Sequence, residues 1–165
     1  MHLAIIDSPN AVLSESFDQL ILWKSYDETV LPNAVSIPLL VEKDAEDLRC
    51  RYLKLIYDLG EVRVQETQLY ESLELRSGFS YWWMTLMAEK CNWAKSPLIT
   101  DVIRVLAFND WAARHQHIKS IHLVSASAEL RECLSNWCQA KEIKFTCSQF
   151  VISPASKFTL RQVFN

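Results

Sequence analysis

Two carboxylates in the second half of the chain are of the type that accepts a proton from a hydroxyl group. Glu89 follows an aromatic segment, Asp101 opens a later helix, and each has a basic neighbour, Lys90 or Arg104. A transferase that deprotonates an acceptor hydroxyl needs a carboxylate positioned beside that proton. We therefore take Glu89 and Asp101 as candidate catalytic residues and Lys90 and Arg104 as candidate ligand-binding residues. The alternative is that all four are solvated helix charges.

Aromatic side chains immediately before Glu89 are candidates for contacting a ligand. Trp82 and Trp83 lie in the most aromatic stretch of the chain, residues 79–87. Their flat apolar faces suit a sugar ring or a lipid-linked acceptor. Adjacent residues on a helix point about 100° apart, so one surface receives at most one of the two rings. Core packing and an interface with another domain are the alternatives.

Two serines follow a segment that reads as a buried strand, residues 118–124. In an open parallel sheet, ligands bind beyond the carboxyl ends of the strands. Ser125 and Ser127, together with free N–H groups of the following helix, are therefore candidates for binding a small polar ligand or an anion. The alternative is that they only cap that helix.

Several classes of site are disfavoured. With two glycines in 165 residues, Gly60 and Gly78, neither a GxGxxG fingerprint nor a Walker A loop can be written. A net charge of −3 without a basic stripe argues against nucleic acid. His115 and His117 are two apart, which on a helix points them in different directions. We predict neither a metal nor a cofactor.

The environment of the protein follows from its apolar runs and cysteines. No run approaches the roughly 20 apolar residues of a membrane span, and the first ten residues lack a basic leader. The five cysteines include no CxxC pair, which predicts reduced thiols. We expect a cytoplasmic protein without a membrane span.

The candidate residues depend on helices and strands that the apolar pattern predicts. Residues 2–6 read as a strand, and residues 17–23 read as a strand or a helix, with a strand favoured. A helix is expected over 44–59, with Gly60 as a left-handed stop. A second helix is expected from Phe79 to about Cys91, and a third runs from Ser96-Pro97, a serine cap followed by proline, to about His115.

The last unit predicts the fold class. Residues 118–124 are strand-like, and Leu130, Cys133, Leu134, Trp137 and Cys138 form a helical apolar stripe before an alternating strand at 143–147. Such a βαβ unit implies parallel pairing with a right-handed crossover. We therefore expect an α/β fold, a Rossmann-like parallel sheet with flanking helices that ends in a βαβ unit. Residues 1–150 form the domain, and 151–165 form a C-terminal connector.

A resemblance adds a functional class. The segment Arg-Ser-Gly-Phe-Ser-Tyr-Trp-Trp-Met at 76–84, continuing through Glu89-Lys90 and Lys95-Ser96-Pro97 to Arg104, resembles a family of bacterial surface carbohydrate biosynthesis proteins of the O-antigen type. Leu-Trp-Lys-Ser-Tyr at 22–26 is similar to that family as well. Together these segments cover about a quarter of the chain.

This resemblance implies a glycosyltransferase-like protein with two Rossmann-like halves, of which this chain matches the N-terminal half that faces the acceptor. The implied partners are a saccharide or lipid-linked acceptor and a second glycosyltransferase domain. Without that second half, we expect the isolated chain to be inactive. Two alternatives stay open: a non-enzymatic protein-interaction module, and an α/β domain that binds a small molecule or anion.

Overall fold

A computed structural model describes residues 1–8, 16–30, 33–88, 96–115 and 117–148. The strands in these ranges are β1 (His2–Ile6), β2 (Gln19–Leu22), β3 (Ala34–Ser36), β4 (Arg63–Val64), β5 (Thr67–Gln68), β6 (Glu74–Arg76), β7 (Phe79–Ser80), β8 (Ser120–Val124) and β9 (Lys144–Ser148). The α-helices are α1 (Ile37–Lys43), α2 (Ala45–Gly60), α3 (Leu69–Ser72), α4 (Pro97–Arg114) and α5 (Ala128–Ala140). Two short 3₁₀ helices span Glu28–Val30 and Tyr81–Met84.

Five of these strands form one sheet in the order β3-β2-β1-β8-β9. Every neighbouring pair in this sheet is parallel. The central strand β1 is buried on both faces, because consecutive residues Leu3, Ala4 and Ile5 are all fully inaccessible to solvent. Burial on both faces is typical of parallel strands. The predicted Rossmann-like α/β fold is confirmed.

The two faces of the sheet belong to two apolar clusters of different size. Leu3, Ile21 and Ile121 belong to the larger cluster, which includes residues of α2, α4 and α5. Ala4 and Leu20 belong to a small cluster on the other face. The main core therefore lies between the sheet and the helices that connect its strands.

The predicted βαβ unit is confirmed by β8, α5 and β9. The α5 helix begins after Ser127, whose hydroxyl accepts a hydrogen bond from the N–H of Leu130 at 3.1 Å. Leu134 and Cys138 are fully buried. Trp137 is half-buried, and its Nε1 donates to Asn109 Oδ1 on α4 at 3.1 Å. The apolar face of α5 therefore packs against the main core, and Trp137 links this helix to α4.

The predicted helices at 44–59 and 97–115 are confirmed as α2 and α4, but the predicted role of Gly60 is wrong. Gly60 is the last residue of α2 and does not have a positive φ, unlike Gly78 at 75°. A Cβ atom on Gly60 would lie 2.8 Å from Nε1 of Trp82. Glycine is needed here because an indole ring packs directly against the helix backbone.

The predicted helix from Phe79 to Cys91 is also wrong over its described part, where β7 is followed by a 3₁₀ turn. The hydroxyl of Ser80 accepts from the Trp82 N–H at 3.2 Å and donates to the Tyr70 carbonyl. Thr85 ends the turn with ψ of 152°, which is extended backbone. Aromatic residues have weaker helix propensity than the Met and Leu that follow them, so capping by Ser80 decides the local structure.

Three further predictions concern regions or properties outside the sheet. The predicted connector at 151–165 lies outside the described residues. Among the described helices, none has the length and hydropathy needed to cross a membrane. The four cysteines within the described ranges are unpaired thiols; they are Cys50, Cys133, Cys138 and Cys147.

Candidate functional site at the carboxyl edge of the sheet

The strand order places a crossover point between β1 and β8. The chain leaves β1 toward β2 and leaves β8 toward β9, so the two connections depart in opposite directions. In parallel sheets of this kind, the crevice beyond the carboxyl ends of two such strands is the usual ligand site. Asp7 follows β1 and Ser125 follows β8 at this point.

Asp7 is a buried carboxylate at the crossover, with its side chain only 8% exposed. Its Oδ2 accepts a hydrogen bond from the Ser125 hydroxyl at 2.7 Å. Its Oδ1 is paired with the Lys24 ammonium at 2.7 Å and is shielded from solvent. The contact with Lys24 is therefore an ion pair between a buried carboxylate and a half-exposed lysine.

The two predicted serines are both engaged by the start of α5. Ser125 Oγ accepts from the Ser127 N–H at 3.0 Å, and Ser127 Oγ caps the Leu130 N–H. The Ser127 hydroxyl donates to Glu129 Oε2 at 3.0 Å. Hydrogen bonds from its own amide and from Ser127 lower the pKa of Glu129. The serines therefore position Asp7 and the first turn of α5.

A second group of polar side chains lies beyond the end of β2. Trp23 is fully buried, and its Nε1 donates to Asp101 Oδ1 at 2.9 Å. Arg104 Nη1 donates to the same oxygen at 2.9 Å. The side chains of Asp101 and Arg104 are 22% and 18% exposed. The Asp101 carboxylate thus links Trp23 at the sheet edge to the Arg104 guanidinium, which has further N–H groups that can donate hydrogen bonds.

Arg104 also faces a pocket of 240 Å³ between α1 and α4. The polar part of its lining includes Tyr26 and Glu42, and the apolar part includes Val41 and Ile103. Tyr26 belongs to the loop after β2, only two residues beyond Lys24. The segment that follows β2 therefore contributes both to this pocket, through Tyr26, and to the ion pair with Asp7, through Lys24.

The structure brings together only some of the predicted site residues. Asp101 and Arg104 are in contact, and Ser125 and Ser127 meet at the crossover. Trp82 is 3% exposed in the core, whereas Trp83 is 50% exposed. The described contacts of Asp101 are with Trp23 and Arg104, and include neither Trp82 nor Trp83. The predicted residues Glu89 and Lys90 lie outside the described ranges.

Sequence reasoning missed Asp7, Trp23, Lys24 and Tyr26. A carboxylate directly after a buried strand is the signal that would identify Asp7, because ligands bind beyond the carboxyl ends of parallel strands. No group of three His, Cys, Asp or Glu residues suited to a metal ion occurs within the described residues. Searches against protein-family models, curated proteins and solved structures gave no match.

Proposed function

We propose that this chain is the acceptor-side domain of a cytoplasmic, glycosyltransferase-like protein of bacterial surface-polysaccharide biosynthesis. In this proposal it binds a saccharide or lipid-linked acceptor at the carboxyl edge of its sheet. The observation that carries the proposal is the Asp7 carboxylate, buried at the crossover and paired through Oδ1 with the Lys24 ammonium, whose side chain is half-exposed. A ligand hydroxyl that displaces the Lys24 ammonium from Oδ1 would donate a hydrogen bond to that oxygen. The resemblance in sequence supplies the class of acceptor.

The charges at the crossover favour a neutral hydroxylated ligand over an anion. Asp7 and Glu129 contribute two negative charges there, and Lys24 contributes one positive charge. An anion at the N-terminus of α5 would therefore meet a net negative side-chain charge, which opposes the attraction of the free N–H groups. Hydroxyl groups can instead donate to the carboxylates and accept from the Lys24 ammonium.

The pocket between α1 and α4 has the mixture of groups that a sugar ring needs. Tyr26 is 56% exposed and presents an aromatic ring, while Arg104 donates and Glu42 accepts hydrogen bonds. Asp101 Oδ1 is occupied by two donors, and its Oδ2 has no hydrogen bond among the described residues. Asp101 does not line the pocket itself but pairs with Arg104, which does, and we assign its Oδ2 to accept the proton of an acceptor hydroxyl.

A second candidate function is a protein-interaction module. The observation that favours it is the exposure of large apolar side chains in the segment from β6 to the 3₁₀ turn and just beyond. The most exposed are Leu75, Tyr81, Trp83, Met84 and Leu86, at 66, 50, 50, 55 and 54%. Exposed apolar side chains of this kind mark interaction surfaces when they form one patch. A second glycosyltransferase domain would be one such partner.

Ligand-observed saturation-transfer NMR on the 165-residue chain tests the saccharide proposal. The probes are methyl glycosides of a hexose, an N-acetylhexosamine and a deoxyhexose, with inorganic phosphate as the anion. We expect a glycoside to bind and Asp7→Asn to weaken binding about tenfold, since a hydrogen bond to a charged group contributes about 1.5–3 kcal/mol. Asp101→Asn should weaken binding less, because its Oδ1 can still accept from Trp23.

The matched control is Asp58→Asn. Asp58 is also paired with a lysine, Lys54, at 2.5 Å, but on the exposed face of α2. Its removal should leave glycoside binding unchanged. Equal binding by the Asp7→Asn and Asp58→Asn variants would contradict the proposed site. If no glycoside binds a chain whose amide spectrum shows it folded, the interaction module becomes the better assignment.

A further inference from the structure

The amino edge of the sheet, opposite the site described above, carries a cluster of basic side chains. Lys119 precedes β8, Lys144 begins β9, and backbone hydrogen bonds place these segments side by side. The exposed basic residues of this edge are His2, His115, His117, Lys119, Lys141 and Lys144. Asp18 and Glu142 are the nearby acidic residues. The edge is therefore basic in a chain whose net charge is −3.

A pocket of 270 Å³ opens within this cluster, between the end of α4, α5 and the residues that precede β8 and β9. Its apolar lining includes Ala112, Ile118 and Ile143. The basic side chains in its lining are those of His115 and Lys141. An apolar floor with two basic groups at one pocket is an arrangement for a small molecule that combines an anion with an apolar body.

Lys141 is held in place by a tryptophan. Its Nζ lies 5.2 Å from the centre of the Trp137 ring, a cation–π contact. The ring is fixed in turn by its hydrogen bond to Asn109 and by packing against Phe108 at 5.2 Å. The ammonium group is thus positioned before a ligand arrives, which lowers the entropic cost of binding.

His115 is held by a second tryptophan. Its ring stacks on Trp111 with centroids 4.2 Å apart and planes 23° apart. Its Nδ1 lies 2.8 Å from the Trp111 carbonyl oxygen, and because a carbonyl only accepts, Nδ1 carries the proton. Nε2 is left without a partner among the described residues and donates to an anion when the ring is doubly protonated.

We propose that this pocket binds a small organic anion, a carboxylate or a phosphate monoester. The anion lies between the Lys141 ammonium and His115 Nε2, and the apolar body of the ligand contacts Ile118 and Ile143. The volume is just below the roughly 300–1,000 Å³ of pockets for larger ligands, so the body is about one ring in size. The C-terminal end of α4 is partly negative, so side chains supply the attraction.

Amide chemical shifts of the 165-residue chain test the proposal, at pH 6 and low ionic strength. The probes are benzoate, phenyl phosphate and inorganic phosphate. We expect benzoate or phenyl phosphate to shift the amides of residues 112–115 and 137–143. Lys141→Met and His115→Gln should each weaken binding about threefold to fivefold, the value of a solvent-exposed ion pair. Adding salt to about 1 M should weaken it further.

Lys43→Met is the matched control, because Lys43 is an exposed lysine at the end of α1. It should leave the titrations unchanged, and Asp7→Asn should do the same, which separates this pocket from the carboxyl-edge site. Melting temperatures of the variants verify that the fold is retained. The proposal is overturned if neither ring-bearing anion shifts these amides, if both pocket variants bind as wild type does, or if inorganic phosphate binds as tightly as phenyl phosphate.

Discussion

Gly60 and Trp82 are in direct contact, and the contact joins the end of α2 to the 3₁₀ turn after β7. An added Cβ on Gly60 would lie 2.8 Å from Nε1 and 3.3 Å from Cε2 of the indole. Trp82 is 3% exposed, and its Nε1 has no hydrogen-bond partner among the described residues. The end of α2 therefore packs so closely against the Trp82 ring that no side chain fits at position 60.

Gly60→Ala should destabilise the protein by about 1–3 kcal/mol, because overpacking forces the ring or the helix to move. The free energy of unfolding from urea titrations measures this cost. Combining Gly60→Ala with Trp82→Phe should recover part of it, since a phenyl ring lacks the Nε1 atom at the point of closest approach. A double variant whose cost equals the sum of the two single changes would show that the contact is not the cause.

Leu134→Ala should cost about 2–5 kcal/mol, the range for removing a large apolar side chain from a core. Leu134 is fully buried where α5 packs on the sheet. Leu98→Ala on α4 is the control, since Leu98 is 58% exposed, and it should change stability by less than about 0.5 kcal/mol. Similar costs for the two variants in urea unfolding would contradict the assigned packing.

The sequence predicts well those helices in which apolar residues recur at helical spacing over several turns and a stop or cap residue marks an end. The stripe from Leu130 to Cys138 and the serine cap at Ser127 define α5 closely, and α4 begins at Pro97 as predicted, although the Ser96 side chain makes no capping hydrogen bond. The 61–88 segment is predicted poorly because short hairpins there have two paired residues per strand. Strands of two or three residues are too short to show an alternation of apolar and polar side chains.

The candidate site is predicted only in part for a related reason. Asp7 and Ser125 are 118 positions apart, and only the pairing of β1 with β8 brings them within 2.7 Å. Trp23 and Asp101 meet across 78 positions in the same way. Residue types and local spacing identify a serine or an aspartate as capable of chemistry, but strand order decides which of them share a crevice.

Stability should fall at high pH because of Cys138. Burial raises the pKa of this thiol from 9.0 to about 11. Since its folded-state pKa is raised, the stability that it contributes is fully present below pH 9 and is lost between about pH 9 and 11, as the unfolded chain ionises first. At pH 10.5 this loss amounts to about 2 kcal/mol.

Urea unfolding at pH 8 and pH 10.5 measures the effect in the wild type and in Cys138→Ala. The wild type should lose about 2 kcal/mol more than the variant between these pH values. Burial also raises the pKa of Tyr52, but that group is common to both proteins and cancels in the comparison. Cys147→Ala, which removes an exposed thiol, should behave as the wild type does. The same loss in Cys138→Ala would contradict the prediction.

The isolated chain should not transfer sugar from a nucleotide donor. It contains two glycines, which excludes the two common glycine-rich phosphate loops. The described residues form one five-stranded sheet with one crossover between β1 and β8. Incubation of the purified 165-residue chain with labelled nucleotide sugars and saccharide acceptors is the direct measurement. Robust turnover would show that a second nucleotide-binding half is unnecessary.

Asp101 should tolerate asparagine better than leucine, because its Oδ1 receives the buried Trp23 N–H. Asparagine keeps an oxygen at that position and loses the ion pair with Arg104, which is partly exposed to water. We therefore expect Asp101→Asn to cost less than about 1 kcal/mol. Leucine leaves the indole N–H without an acceptor in the core, which costs about 1–3 kcal/mol.

Thermal unfolding and sugar transfer, measured for the two variants, separate structure from function at Asp101. If Asp101 acts as a base in the full-length protein, Asp101→Asn should lower transfer strongly while its melting temperature stays close to that of the wild type, since an amide does not accept the proton that a carboxylate accepts. If the residue only supports Trp23, Asp101→Asn should retain transfer, and only Asp101→Leu should lose both folding and activity. Transfer that is intact in Asp101→Asn therefore assigns this carboxylate to the core.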